Sequence, residues 1–463
     1  MTVEERIKNR KIGIIGMARS GLAAALLAQE MGGQPFVTDS GRPELLVAPC
    51  EKLAAADIPY ETGGHTDRIL ECDYVIISPG VPLTVDIVTR LQDRAIPIFS
   101  EIEFASWVCR GTIVAVTGSN GKTTTTTLIG EMLKAAGLET FVCGNIGRPF
   151  AEVAADVPRD GVAVVEVSNF QLETIADFRP HLAMILNISA DHLDRHGTMA
   201  AYKQAKYRIT ENQSRSDYLV LNRDDSETDR DAITTNARRL LFTTADDNTT
   251  AAFVRDSALW SRLGDDEQQI IPVDDIMIPG PHNLQNAAAA VVAATIMGAS
   301  PDVLQKTLST FPGVEHRLER VGSVAGISFI NDSKATNVDA VCFALQSVKP
   351  PVYLIAGGRD KGASYAPLLP HAAGKVKGIV AIGEAREKIL NELGRDLNVQ
   401  FADSLEEAVR KCFDLAFPGE TVLLSPACAS FDMFENFEHR GRAFKTAVAE
   451  LKNGKKNQNA ISH

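Results

Sequence analysis

Thr112-Ile113-Val114-Ala115-Val116-Thr117-Gly118-Ser119-Asn120-Gly121-Lys122-Thr123-Thr124 is the stretch that decides how the rest of the chain is read. It begins as a β-branched apolar run, the composition of a strand buried on both faces. Gly118 and Gly121 then turn the chain, and residues 123–134 carry helical spacing. Strand, glycine turn, Lys-Thr and helix together cradle phosphates. Backbone N–H groups and the helix N-terminus face the anion, the lysine reaches the outer phosphates, and the threonine hydroxyl holds Mg2+. The loop is a shortened variant: the usual pattern has a Gly five residues before the second Gly, and that position is Val116. A glycine-rich turn with a surface lysine is the bland alternative, and the order of the parts argues against it.

The chain has 463 residues, which at ~150 residues per domain predicts about three domains. Hydrophobic content of 45% and charged content of 23% describe an ordinary soluble globular protein. A net charge of −12 excludes a non-specific nucleic-acid binder but not a nucleotide substrate, which needs only a few local cations. The mixed-charge N-terminus leads into a strand with no signal-peptide core, and no apolar run approaches the ~20 residues of a membrane span. The seven cysteines (50, 72, 109, 143, 342, 412 and 428) contain no C-x-x-C pair, which fits reduced thiols in a cytoplasm.

The fold expected is α/β in three domains: a Rossmann-like N-terminal domain (1–110), a central P-loop ATPase-type α/β domain (111–312) and a Rossmann-like C-terminal domain (313–463). In the first, residues 11–16 and 34–39 read as strands around an Ala/Leu-rich helix over 18–31. Gly16-x-Ala18-x-x-Gly21 lacks the middle glycine that lets a backbone approach a pyrophosphate, which weakens a nicotinamide-cofactor reading. Asp39 is placed either to hold ribose or base hydroxyls or simply to end a strand. Further strands are expected at 74–78 and 96–99, with Ser78-Pro79-Gly80-Val81-Pro82 at a strand C-terminal end.

In the central domain, the phosphate-loop helix is expected to stop at Gly137. Strands are expected at 141–143, 161–168, 182–188, 219–222 and 240–244, with helices over 202–210 and 283–297. Residues 223–275 are polar, with acid clusters at 224–225, 246–247 and 265–267, and read as edge loops or hairpins. The C-terminal domain is expected to carry strands at 327–331, 352–356, 379–382, 399–402 and 421–424. Three polar clusters follow apolar runs there: Asp332–Asn337 by number 332–337, then 357–362, then 425–431, all able to meet at one edge of a parallel sheet.

Glu166 interrupts a Val/Ala strand, where a carboxylate is costly unless paired or bound to metal, and it lies after the phosphate loop. A Mg2+ ligand is the favoured reading. His192 follows a buried strand, where function and helix capping are balanced. Lys203 and Lys206 cannot be ranked by spacing. Arg317 lies past the Phe311-Pro312-Gly313 hinge, as a surface cation or one that reaches the phosphates on domain closure.

At this point the chain resembles a known family. T-G-S-N-G-K-T-T, G-N-I-G, E-V-S-N-F-Q-L-E, D-H-L-D-R-H, Y-K-Q-A-K-Y-R-I, H-N-L-Q-N, E-H-R, N-D-S-K-A-T-N, G-G-R-D-K-G and S-P-A-C-A-S-F-D look like the motifs of the Mur ligases. N-D-S-K-A-T-N and G-x-D-K-G point to the branch that adds D-glutamate to UDP-N-acetylmuramoyl-L-alanine. The resemblance implies an ATP-dependent amide ligase of cytoplasmic peptidoglycan precursor synthesis, working as a monomer on small molecules through an acyl phosphate and a tetrahedral intermediate. It implies Lys122, Glu166, His192 and Lys206 as catalytic residues. Two Mg2+ sites are implied at Thr123, Glu166, His192 and Lys206, with Lys206 carbamylated. An ammonium there would repel Mg2+ while a carbamate is an anion, and its formation needs the neutral amine.

Gly118, Ser119, Asn120, Gly121, Lys122, Thr123, Thr124, Asn283, Asn286, Arg317 and Asp332 are implied to bind ATP. Ser20, Asp39, Ser40 and Gly80 would hold the UDP portion, and Asn145, Ser168, Gln171 and His192 the muramoyl-alanine arm. Lys334, Thr336, Lys361, Ser430, Phe431 and Phe437 would frame D-glutamate. Three positions differ from the family's usual pattern: Asn169 in place of a second Ser, Asp39-Ser40-Gly41-Arg42 in place of D-T-R, and Phe431 in place of a smaller apolar residue. The alternatives are another amide ligase on the same plan, a non-catalytic P-loop switch and a nicotinamide-dependent dehydrogenase. The switch leaves the third domain's strand-end clusters unexplained.

Overall fold

The computed structural model describes residues 2–189, 193–264, 266–360 and 362–461, without the side chains of residues 193, 194, 339 and 453–461. His192 and Lys361 lie outside the described residues. The chain forms two compact units, one of residues 1–277 with 281–311 and one of residues 278–280 with 312–463.

The first unit holds two sheets. One is parallel, with β1 (Lys11–Ile15), β2 (Gln34–Asp39), β3 (Tyr60–Thr62), β4 (Tyr74–Ile77) and β5 (Ile98–Ser100) in the order β3-β2-β1-β4-β5. The order reverses between β1 and β4, and open parallel sheets take ligands at the C-terminal strand ends of such a switch point. Gly16 (φ 94°) turns the chain there, and Gly21 lets the helix Arg19–Glu30 approach: a Cβ on Gly21 would lie 1.8 Å from the Gly16 carbonyl oxygen.

The second sheet comprises β6 (Thr112–Thr117), β7 (Thr140–Gly144), β8 (Val162–Glu166), β9 (Leu182–Ile185), β10 (Tyr218–Asn222), β11 (Arg238–Phe242), β12 (Ala252–Arg255), β13 (Ala258–Leu263) and β14 (Asp266–Pro272). Its order is β14-β13-β12-β11-β10-β9-β6-β8-β7. The phosphate-loop strand β6 is flanked by parallel β8 and β9, and Val114, Ala115 and Val116 are fully buried, as a strand covered on both faces requires. The polar stretch after Asn222 supplies an antiparallel meander, β12 to β14, at the sheet edge. The loop helix Lys122–Ala135 ends at Gly137 (φ 85°), where the Leu138 N–H returns to the Leu133 carbonyl.

The second unit carries β15 (Glu319–Val324), β16 (Ile327–Asn331), β17 (Val352–Gly357), β18 (Val376–Ile382), β19 (Val399–Phe401) and β20 (Thr421–Leu424), in the order β15-β16-β20-β17-β18-β19. Because β20 lies between β16 and β17 and all three are parallel, the three strand-end clusters read from the sequence emerge side by side. Antiparallel β15 was not expected: Glu-Arg-Val-Gly-Ser-Val lacks an apolar run and forms an edge on which only Val324 is buried. No helix among the described residues is long and apolar enough to cross a membrane.

Candidate active site

Gly118 (φ 153°) and Gly121 (φ 82°) hold backbone conformations that a side chain resists. Gly121 is also the N-cap of the loop helix and brings no capping side chain. A Cβ on it would lie 2.3 Å from Asn286 Oδ1. Asn286, on the helix Pro281–Ile296, accepts from Thr125 Oγ1 at 3.2 Å and donates to Asn283 Oδ1 at 3.2 Å, so of the two predicted adenine-contact residues Asn286 sits against the phosphate loop and Asn283 pairs with it. The loop is pinned to the segment after β9. The Ser119 hydroxyl accepts the Ser189 N–H at 2.9 Å, and the Asn120 N–H donates to Asn187 Oδ1 at 2.8 Å. Thr123 and Thr124 are buried in the first helical turn.

Lys122 folds over its own loop and donates to the carbonyls of Gly118 (2.8 Å) and Ser119 (2.9 Å). Lys206 converges on the same point. It is 1% exposed, donates to the Gly118 carbonyl at 2.9 Å, and lies 4.6 Å from the centre of the Tyr202 ring. Two ammonium groups meeting on one oxygen repel each other. Lys203 instead reaches outward to Glu227 at 3.0 Å. Burial therefore separates two lysines that spacing left equal.

Glu166 ends β8 beside this cluster, 2% exposed. Its Oε1 accepts from Asn145 Nδ2 at 2.9 Å, while its Oε2 is buried with no hydrogen-bond partner among the described residues. A buried carboxylate oxygen left without a donor fits a cation better than it fits a strand end. The Thr123 hydroxyl and Glu166 are suitable oxygen donors for Mg2+.

The predicted muramoyl-alanine arm is more tightly built than its sequence suggests. Ser168 and Gln171 form a reciprocal capping box on the short helix Asn169–Leu172, and Gln171 is 1% exposed. Asn169, the departure from the family pattern, contacts His196 Nε2 at 2.5 Å, and His196 stacks on Phe170. Sequence reasoning missed Arg195. It donates to the carbonyls of Pro79 (2.8 Å) and Val81 (3.3 Å) and to Glu173 (3.1 Å), so it fastens the loop carrying Gly80 to the central sheet. Asp39 accepts the N–H groups of Met17 and Gly41, each at 2.7 Å, which ties the loops after β1 and β2 together. Gly41 suits that turn, since a Cβ there would lie 2.9 Å from Asp39 Oδ1. Ser20 sits in the first turn of the helix after β1, and Ser40 and Gly80 are exposed.

In the second unit, Arg317 lies between two residues in the left-handed region, His316 (φ 64°) and Leu318 (φ 46°). Strain of this kind persists where surrounding contacts over-determine it. Here the Leu318 N–H donates to Asp332 Oδ1 (3.2 Å) and the Lys334 N–H to the His316 carbonyl (3.0 Å). Burial pushes the Asp332 carboxyl up to about 6, against the pull of Arg317 and of the Ser425 hydroxyl, which donates at 2.7 Å.

Arg440 is the second residue that the sequence did not single out. It is 1% exposed, and burial pulls its guanidinium down to about 10, so it stays charged at neutral pH. It donates to the Ser333 hydroxyl (3.0 Å) and to the carbonyls of Ser333 (2.9 Å), Cys428 (3.1 Å) and Ala429 (3.3 Å). Two of the three strand-end clusters are thereby tied to the last helix, Phe437–Ile461. The third joins them through the Gly357 N–H on Pro426 (2.8 Å) and the Arg359 N–H on Ala429 (2.9 Å). Lys334 and Phe437 face each other at 6.0 Å, Ser430 is buried, Thr336 is half-buried, and Phe431 is 64% exposed.

Curated relatives match this chain along nearly its whole length. One from Thermoanaerobacter sp. (strain X514), named UDP-N-acetylmuramoylalanine–D-glutamate ligase, is 41% identical over 451 residues, covering 96% of this chain and 99% of its own. One of the same name from Salinibacter ruber is 42% identical over 462 residues, covering 97% and 100%. The chain belongs to the Mur ligase family. Family models agree domain by domain: the MurD N-terminal domain matches residues 11–86, the Mur ligase middle domain 116–294, and the Mur ligase glutamate ligase domain 316–428. Among solved structures, the fold is similar to UDP-N-acetylmuramate–alanine ligase MurC from Thermotoga maritima (TM-score 0.60, 19% identity, 96% of this chain and 100% of that one). It is also similar to MurF from Acinetobacter baumannii (TM-score 0.61, 18% identity, 98% and 93%). The Mur ligase loops described above thus sit on the fold these enzymes share.

Proposed function

We propose that this Mur ligase joins D-glutamate to UDP-N-acetylmuramoyl-L-alanine at the expense of ATP, in cytoplasmic peptidoglycan precursor synthesis, acting as a monomer. The observation that carries the chemistry is the cluster of Lys122, Lys206 and the orphaned Glu166 oxygen around one glycine loop. The choice of substrate and acceptor is supported by the relatives of that name and by the cationic Lys334 among converging strand-end loops.

The γ-phosphoryl group of ATP passes to the carboxylate of UDP-N-acetylmuramoyl-L-alanine, giving an acyl phosphate and ADP. The D-glutamate amine then adds to that carbonyl, loses a proton, and the tetrahedral intermediate expels inorganic phosphate to leave an amide. Loop amides and Lys122, released from the Gly118 and Ser119 carbonyls, hold the phosphates as charge shifts onto the bridging oxygen. Mg2+, held by Thr123 and Glu166 with His192 and a carbamylated Lys206 completing a second site, would neutralise charge on the transferring group. A carbamate at Lys206 turns its repulsion with Lys122 into attraction. Asn283 and Asn286 hold adenine, and Arg317 and Asp332 the ribose and phosphates. Ser20, Asp39, Ser40 and Gly80 take the UDP portion. Asn145, Ser168, Gln171 and His192 take the muramoyl-alanine arm. Lys334, Thr336, Lys361, Ser430, Phe431 and Phe437 frame D-glutamate, whose carboxylates suit the lysines.

Coupled ADP assays test the assignment. Sustained ADP release is expected only with both UDP-N-acetylmuramoyl-L-alanine and D-glutamate present. Equal turnover with L-alanine, or with meso-diaminopimelate on the matching longer precursor, would overturn it.

A further inference from the structure

Glu101 opens the helix Glu101–Val108, 1% exposed, between the two sheets of the first unit. Its Oε1 accepts the Ala151 N–H at 2.6 Å, and its Oε2 accepts from Gln171 Nε2 at 3.4 Å. The Phe150 N–H is a further donor toward it. Ala151 lies in the helix Phe150–Val153, directly after the Gly144-Asn145-Ile146-Gly147 loop, whose Asn145 holds Glu166. Gln171 in turn accepts, through Oε1, from the Ser168 N–H (3.0 Å) and hydroxyl (3.1 Å). One buried carboxylate therefore anchors both segments assigned above to the muramoyl-alanine arm.

We propose that Glu101 is a positioning residue for the UDP-substrate: by accepting from both Gln171 and Ala151, it fixes the Gln171 amide orientation and the seat of the Asn145 loop. This rests on the substrate assignment made under the proposed function. The alternative amide orientation would set Gln171 Oε1 against the Glu101 carboxylate and its NH2 against the Ser168 N–H. Glu103, two residues on, has a different job. It accepts the N–H groups of Ala176, Asp177 and Phe178 and the Trp107 indole, away from those segments.

Burial pushes the Glu101 carboxyl up to about 7, against the pull of its donors. The titratable group facing it across the helix packing is the Cys143 thiol on β7, which burial and then Glu101 hold well above the ordinary thiol range. Gln171 and the segment 150–151 bring only uncharged donors. A proton on Glu101 places an O–H against these N–H donors, so substrate binding weakens as pH falls through about 7.

The test uses the full-length enzyme, with KM for UDP-N-acetylmuramoyl-L-alanine, its calorimetric affinity and kcat measured from pH 6 to 9. Glu101→Gln is expected to raise KM about tenfold at pH 8, leave kcat within about twofold, and lose the weakening on the acid side. Glu101→Asp keeps the carboxylate and leaves Gln171 untouched, and is expected to keep the weakening on the acid side with a smaller rise in KM. Glu103→Gln is the scaffold control, lowering the melting temperature with KM unmoved. Wild-type KM and pH profile in Glu101→Gln would overturn the proposal. So would a Glu101→Asp variant whose KM and pH profile match those of Glu101→Gln. Failure of the substrate assignment shows separately, as absent D-glutamate-dependent turnover in the wild type.

Discussion

Lys206→Ala is expected to lower kcat about a thousandfold, while Lys203→Ala stays within about twofold of wild type. The two lysines share a helix face by spacing but not an environment. Lys206 is buried on the Gly118 carbonyl beside Lys122, and Lys203 is spent on Glu227 at the surface. A side chain that carries charge at the phosphate loop acts where charge moves during phosphoryl transfer, and its loss falls on kcat. Bicarbonate is expected to leave Lys206→Ala inactive, because alanine offers no amine to carbamylate. Steady-state ADP release on both variants, with and without bicarbonate, measures this. Loss of activity in Lys203→Ala with an active Lys206→Ala would mean that the wrong lysine has been assigned.

Arg440→Ala carries the second large effect, in the other unit. Truncation strips the Ser333 hydroxyl and the carbonyls of Ser333 and Cys428 of their donor, leaves the Ala429 carbonyl only the Arg359 N–H, and opens a void under the last helix. Buried acceptors left unmet cost ~1–3 kcal/mol each where water cannot replace the donor, so a loss of about 3 kcal/mol or more is expected in urea unfolding. The loops so loosened carry Lys334, Thr336 and Ser430. KM for D-glutamate is therefore expected to rise at least about tenfold, and more than KM for the UDP-substrate. Arg440→Lys keeps the charge but not the planar fork, and is expected to recover stability only in part. Wild-type unfolding and wild-type D-glutamate KM in Arg440→Ala would contradict a tying role.

Much of the fold is written locally. The apolar runs at residues 112–117 and 421–424 are strands because apolar, β-branched-rich segments covered on both faces leave few other options, and 327–331 alternates buried and more exposed residues as a strand does. The phosphate loop is legible because positive φ at Gly118 and Gly121 admits little but glycine. What stayed hidden depends on tertiary burial. Lys206 and Lys203 look alike until a neighbouring loop covers one of them. Arg440 reads as one more charge on a polar terminal helix, and only the docked loops reveal it as a buried cation held by carbonyls. Glu101 reads as a first-turn acid favourable to the helix dipole, and its partners lie 50 and 70 residues away. The edge strand β15 has no apolar face to announce it, since its pairing partner supplies the order.

The γ-phosphate held by the loop at Gly118–Lys122 is expected to pass to the substrate carboxylate, so that the amide forms from an acyl phosphate. Turnover of UDP-N-acetylmuramoyl-L-alanine carrying oxygen-18 in its terminal carboxylate, followed by phosphorus NMR of the released phosphate, tests this directly. The expected result is inorganic phosphate bearing one labelled oxygen from each labelled carboxylate, because the acyl phosphate breaks between carbon and oxygen. Phosphate without label, formed alongside amide product, would contradict the account.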